Sequence, residues 1–223
     1  MYSRVRLVQH LITLAFLAKG IILLTFPTVW YFQDEFIRDL VMSRHLELVG
    51  MIAGGMSLFV GVLSLVGGLP MVRQKNYLII ANWILLVIFM IELVIASIPW
   101  FDSLQLFESL PNSWAKLSTA TRANFQNRNR CCGFMNPRDN AVPSDICTPL
   151  SVFPGCGKMI IDRGTNFLTV VYTTLFGFDT LDVIAFLANV ILLKEMDEEE
   201  RNRRVMEKLR RSGVDYALKL QYV

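Results

Sequence analysis

Four cysteines carry the most reactive chemistry in this 223-residue chain: Cys131, Cys132, Cys147 and Cys156. All lie in one segment and none occurs elsewhere. The first two are adjacent, within "NRNRCCGFMNP", and a vicinal disulfide would close a strained eight-membered ring. Two pairings then remain, one nested and one crossed, and spacing does not choose between them. Either closes loops of about 15–25 residues, worth roughly 3 kcal/mol each if the bridges act by restricting the unfolded chain. An even cysteine count confined to one segment points to disulfides, and so to an oxidising compartment. A zinc site is the weaker reading, because the segment has no histidine and no C-x-x-C pair.

Four ionisable residues form a second group: Lys19, Glu92, Asp179 and Asp182. Each sits deep in an otherwise apolar run, where a charge is costly and normally faces a partner. Counted from the cytoplasmic edge of each run, they lie about 11–15 residues in and share a layer within roughly 6 Å at 1.5 Å per residue. Asp179 and Asp182 are three apart and fall on one helix face. The expected arrangement is an internal ion pair, Lys19 with Asp182 or Asp179, with Glu92 protonated or hydrogen-bonded. A proton or ion path through these groups is the sharper alternative. Besides Asn82, Asn189 and an interfacial His10, no polar route to both surfaces is visible.

The elements that must position these residues are helices long enough to cross a membrane. The composition is 53% hydrophobic, with a mean hydropathy of +0.43. The apolar residues gather into runs at 8–31, 46–69, 77–99 and 167–193, each near the length needed for a hydrocarbon core of about 30 Å. The first run is too long for a signal peptide, carries Lys19 and lacks a small-x-small cleavage site. Small residues suit close packing of spans one and two. Gly50 and Gly54 form a GxxxG. Gly54, Gly61 and Gly68 recur every seven residues, as do Thr13, Gly20 and Pro27.

Charge placement orients the chain. Arg4 and Arg6 precede span one, Arg73 and Lys75 lie in the turn 70–76, and eight Lys/Arg follow span four. Residues 1–7 and 194–223 are therefore expected in the cytoplasm. The segments 32–45 and 100–166 are expected outside, the first with mixed charges at Asp34, Glu35, Arg38, Asp39 and Arg44. Within 100–166, the recurrence of Trp100, Leu104, Phe107, Trp114 and Leu117 predicts helix. Pro111 should break it, with Asn112 or Ser113 capping a second helix. Residues 133–158, rich in proline and glycine, should be irregular, and a helix should begin near Asp162. The tail mixes acids and bases four apart (Glu199–Arg203, Glu200–Arg204, Glu207–Arg211), which supports a helix to about Ser212. It reads as a solvated helix or as a docking helix for a cytosolic partner or anionic headgroups.

Four spans, a small first loop, a very short inner turn and a large loop before span four resemble the tetraspanin family. The residues that carry the resemblance are "CCG" at Cys131, Cys132 and Gly133, "GC" at Gly155–Cys156, and "PSDIC" from Pro143 to Cys147, a stretched form of the family's Pro-x-Ser-Cys. The match covers essentially the whole chain and looks most like tetraspanins of filamentous fungi. It implies the pairing Cys131–Cys156 and Cys132–Cys147. The fold it implies is an all-α membrane protein of four transmembrane helices, carrying a small, disulfide-stapled, mostly helical large extracellular loop. It also implies a lipid-accessible cavity between the spans, able to hold a sterol or acyl chain. The chain departs from the family in lacking cytoplasmic cysteines for acylation and an ordinary N-glycosylation sequon.

The expected function is that of a non-enzymatic scaffold in the plasma membrane or an endosomal or vacuolar membrane. It would bind membrane proteins laterally, associate with itself or other tetraspanins, and affect clustering or trafficking of its partners. By analogy with fungal relatives it would serve polarised growth or host penetration. The alternative is a transporter or ion-channel subunit using Lys19, Glu92, Asp179 and Asp182. A junction-type adhesion protein is disfavoured because its cysteines would fall in the first loop. No cofactor, metal or nucleic-acid partner is expected, and no catalytic nucleophile–base set is visible.

Overall fold

The computed structural model describes residues 2–33, 36–69, 75–148 and 152–221, with side chains between 5 and 211. Most of the expected turn 70–76, with Arg73, and the loop residues Asp34 and Glu35 lie outside the described residues. Six helices follow one another: α1 (Tyr2–Phe32), α2 (Phe36–Val41), α3 (Arg44–Gly68), α4 (Lys75–Lys116), α5 (Thr119–Asn129) and α6 (Gly157–Gln221). No strand occurs among the described residues. Helices α1, α3, α4 and α6 are each long and apolar enough to cross a membrane. With no water in a bilayer core, each such segment must satisfy its own backbone groups, and a helix does so.

The helices contribute to two compact units, 22–54 with 90–179, and 1–21 with 55–89 and 180–223. In the first, a core forms from Val41, Leu106, Leu110, Trp114, Phe125, Phe134, Ile160 and Leu168. Trp114 is fully enclosed. Its ring lies 5.9 Å from that of Phe125 and 6.1 Å from that of Phe134, while Phe36 of α2 stacks on Phe125 at 4.4 Å. In the second unit, Phe16, Val60, Ala81, Leu85, Ile88 and Ala185 form one core, and Leu78, Leu192 and Met196 another.

Several boundaries differ from the sequence reading. Pro111 does not break the helix: α4 runs through Pro99 and Pro111 to Lys116, and the break falls at Leu117–Ser118. Ser118, not Asn112 or Ser113, is the cap, its hydroxyl accepting the Thr121 N–H at 3.1 Å. The reason is packing. Leu106, Leu110 and Trp114 make one buried stripe that continues past Pro111. Burying three large side chains, at about 1.5–3 kcal/mol each, outweighs the roughly 3 kcal/mol cost of an interior proline. The stripe is also offset from the expected one, because Leu104 and Phe107 are exposed. Helix α6 starts at Gly157, ahead of Asp162, and continues beyond Ser212 to Gln221. The expected loop 32–45 contains α2.

The glycine stripes seat α3 against α1. A Cβ on Gly54 would lie 2.7 Å from Leu24 N and 2.8 Å from the Leu23 carbonyl carbon, whereas one on Gly50 would meet Pro27 Cγ at an ordinary 3.4 Å. Pro27 has no N–H to offer the carbonyl four residues back, and that Leu23 oxygen lies 3.1 Å from the same Gly54 position. In the other unit, Gly61 faces Leu17, Gly20 faces Leu58, and Gly68 faces Gln9 and His10. Close approach of backbones through small residues is the ordinary means of helix association in lipid.

Candidate functional site

Helix α5 ends where the cysteines begin. Arg130 takes a left-handed conformation (φ 51°) and its N–H reaches back to the Gln126 carbonyl. The chain then turns at Gly133 (φ 68°), where a Cβ would collide with the carbonyl oxygens of Asn136 and Asp139. Cys131 is bonded to Cys156 and Cys132 to Cys147, with Cα separations of 5.1 and 5.6 Å. This is the nested arrangement. Backbone bonds knit the same spot: Cys132 N–H to the Pro154 carbonyl (3.0 Å), Cys156 N–H to the Gly133 carbonyl (3.0 Å) and Gly157 N–H to the Phe134 carbonyl (2.8 Å). A Cβ on Gly155 would lie 2.5 Å from the Met135 carbonyl oxygen, so only glycine fits there. Pro143 stands on the arc closed by Cys132–Cys147, just before Ser144, whose hydroxyl accepts the Cys147 N–H at 3.3 Å.

Gln126 is a residue the sequence reading missed. Its fully buried amide donates to Cys147 Sγ at 3.1 Å and accepts the Val142 N–H at 3.3 Å. Nothing in the local sequence marks it, because both partners lie across the disulfide-closed arc. Trp114 Nε1 and Arg122 both donate to the Asn140 carbonyl. The irregular segment thereby rests on α4 and α5 by side-chain as well as covalent links.

Below this core, a cavity of about 310 Å³ is lined by Ile22, Leu23, Phe26, Pro27, Trp30, Met42, Leu46, Glu47, Gly50, Ile95, Val170, Val171, Thr174, Leu175 and Phe178. Glu47 is the only ionisable residue in that lining, and it is buried. Arg38 Nε lies 3.3 Å from its carboxylate, and the same guanidinium donates to Asp39 at 2.9 Å and to the Gln33 carbonyl. The wall therefore offers hydrocarbon with a neutralised acid at its edge, which suits an apolar chain or ring system better than a polar solute. Arg38 and Glu47 were missed as a pair, although an acid just inside an apolar run is a readable signal.

The buried charges are placed as follows. Lys19 Nζ pairs with Asp182 at zero exposure of both side chains, with the Phe16 ring 5.1 Å from the ammonium. Glu92 and Asp179 are buried in the other unit. The unit of Lys19 and Asp182 also holds a hydrogen-bonded polar set: Gln9 Nε2 donates to Thr13 (3.1 Å), to the Ser64 carbonyl (3.3 Å) and to Asn189 (3.4 Å), and Asn189 donates to the Ser64 hydroxyl (3.1 Å). Half-buried His10 meets Gln9 Oε1 at 2.7 Å. Thr13, expected only as a packing residue, is thus a hydrogen-bonding one. At the start of α4, Lys75 pairs with Asp197 and Glu200 of α6. Hydrogen bonds from Lys75 and then Arg204 hold the Glu200 carboxyl down at about 2. Lys75 is raised in turn, first by its bond to Asp197.

Comparison of the sequence with protein-family models and with curated proteins returned no match.

Proposed function

We propose that this chain is a tetraspanin-like membrane organiser, with both termini in the cytoplasm and the stapled segment 100–166 outside the cell or in an organelle lumen. It binds membrane proteins laterally and affects their clustering or trafficking, by analogy with fungal relatives in polarised growth or host penetration. The observation that carries this reading is the doubly tethered arc 131–156. Its nested bridges are those the family resemblance implies, and it carries the exposed apolar side chains Met135, Val152 and Phe153. The cavity beside Glu47 supports a sterol or acyl chain as a structural ligand. Crosslinking and affinity capture from native membranes tests the reading. The intact chain should enrich a reproducible set of membrane proteins, and Cys132→Ser with Cys147→Ser should lose part of it. An unchanged set, or none above background, sinks it.

The buried Lys19–Asp182 pair and the Gln9–Asn189 set support a second reading, a transporter or channel subunit. Ion flux in proteoliposomes that is abolished by Asp179→Asn with Asp182→Asn would replace the organiser by this one.

A further inference from the structure

Beyond its apolar run, α6 continues as a helix of unusual surface chemistry. Residues 201–211, "RNRRVMEKLRR", hold six bases and one acid. Val205, Met206 and Leu209 are 50%, 67% and 60% exposed. At about 100° per residue these three fall within one 100° sector, and no charged residue of the stretch enters it. The result is an apolar strip bordered by cations.

The strip lies past the expected end of the membrane-spanning run at 193. Lys75, two residues before span three, grips Asp197 and Glu200, so α6 at that level stands beside the point where α4 enters the membrane. Val205 to Leu209 follow five to nine residues later, about 8–14 Å farther along a continuous helix. A headgroup layer is only about 5–8 Å deep. On a helix that keeps the direction of span four, these three side chains then lie past the headgroups while the Lys75 clasp holds.

We infer that α6 residues 201–211 form a docking helix for an acidic protein with an apolar, methionine-lined groove of the kind that calcium opens in EF-hand sensors. Met206 and Val205 lie three and four residues before Leu209, the spacing of anchors that a helix-receiving groove accepts. The surrounding bases complement an acidic rim, and calcium loading exposes such a groove. This rests on the cytoplasmic placement of the tail proposed above.

The test uses the full chain in phosphatidylcholine nanodiscs, with purified calmodulin as the probe. Nanodiscs present both membrane faces, so failure here is separate from failure of the proposed orientation. Binding should be saturable, dependent on calcium and weakened by salt. Val205→Ser with Met206→Ser and Leu209→Ser should weaken it at least tenfold, as should Arg203→Gln with Lys208→Gln and Arg210→Gln. Circular dichroism checks that both variants remain helical. Absence of calcium-dependent binding overturns the inference, as does unchanged affinity in the two variants. So does entry of a fluorophore at Met206→Cys into an apolar environment in discs containing phosphatidylserine, which would assign the strip to the bilayer. The native cysteines, all in disulfides, do not interfere with that label.

Discussion

Gly54 and Gly55 are chain neighbours with opposite surroundings, and alanine at each should move stability in opposite directions. At Gly54 the new methyl would sit 2.7 Å from Leu24 N, with Leu23 C at 2.8 Å and Leu23 O at 3.1 Å. These are backbone atoms, so no side chain can swing aside. Reaching an ordinary separation of 3.4 Å requires α1 and α3 to part locally by about 0.7 Å. A gap of that size forfeits a quarter to a half of the attraction between facing atoms, and overpacking of this kind costs about 1–3 kcal/mol. At Gly55 a methyl meets nothing within 4 Å, so Gly55→Ala keeps only the helix-propensity gain of about 0.5–1 kcal/mol. Gly50→Ala, facing Pro27 at 3.4 Å, should fall between them. The assay is unfolding in mixed detergent micelles with increasing dodecyl sulfate, followed by circular dichroism. The expected order of midpoints is Gly55→Ala above wild type, then Gly50→Ala, then Gly54→Ala. Equal midpoints for the Gly54 and Gly55 variants would refute the packing argument.

Three further outcomes are expected. Asp182→Leu should lower the unfolding midpoint in the same detergent titration, because it removes the buried carboxylate that pairs with Lys19; an unchanged midpoint would remove the pair's assigned role. Cys132→Ser with Cys147→Ser should lower stability by roughly 3 kcal/mol while a non-reducing peptide map still recovers Cys131–Cys156; recovery of Cys131–Cys147 from the wild-type chain would contradict the nested arrangement. The clasp at Lys75 should be fully present at neutral pH and weaken only as pH falls from 4.5 through about 2, because Glu200 is held below its ordinary value in the folded state. Carbon NMR of labelled Glu200 should show that low midpoint, with Lys75→Met moving it back toward 4.5.

What was legible in the sequence follows from the range of the forces involved. Spans one to four were readable because a bilayer demands a long apolar run of each crossing segment independently. The glycine stripes were readable because a heptad repeat marks a helix face. The end of α4 was not, because the local effect of Pro111 competes with burial of Leu110 and Trp114 against residues from other helices. Lys19 could be assigned an acid from the sequence but not a specific one, since Asp179 and Asp182 share a face; the bond to Asp182 is a matter of tertiary placement. Gln126 escaped notice because its partners lie across the disulfide-closed arc, and the Arg38–Glu47 pair because it joins two helices, α2 and α3.

The stacking of Phe36 on Phe125 has a practical consequence for anyone preparing the large loop as a soluble fragment. Residues 100–166 are not a self-sufficient module. Part of their core is supplied by α2, through Phe36, Ile37, Leu40 and Val41. A fragment cut at the ends of the loop would bare the aromatic face of Trp114 and Phe125 and would be prone to associate through it. Antibodies or binding partners selected on such a fragment would include some directed at a surface the intact protein never presents. Grafting 36–41 onto the fragment, or keeping the helices that hold it, is the remedy the packing dictates.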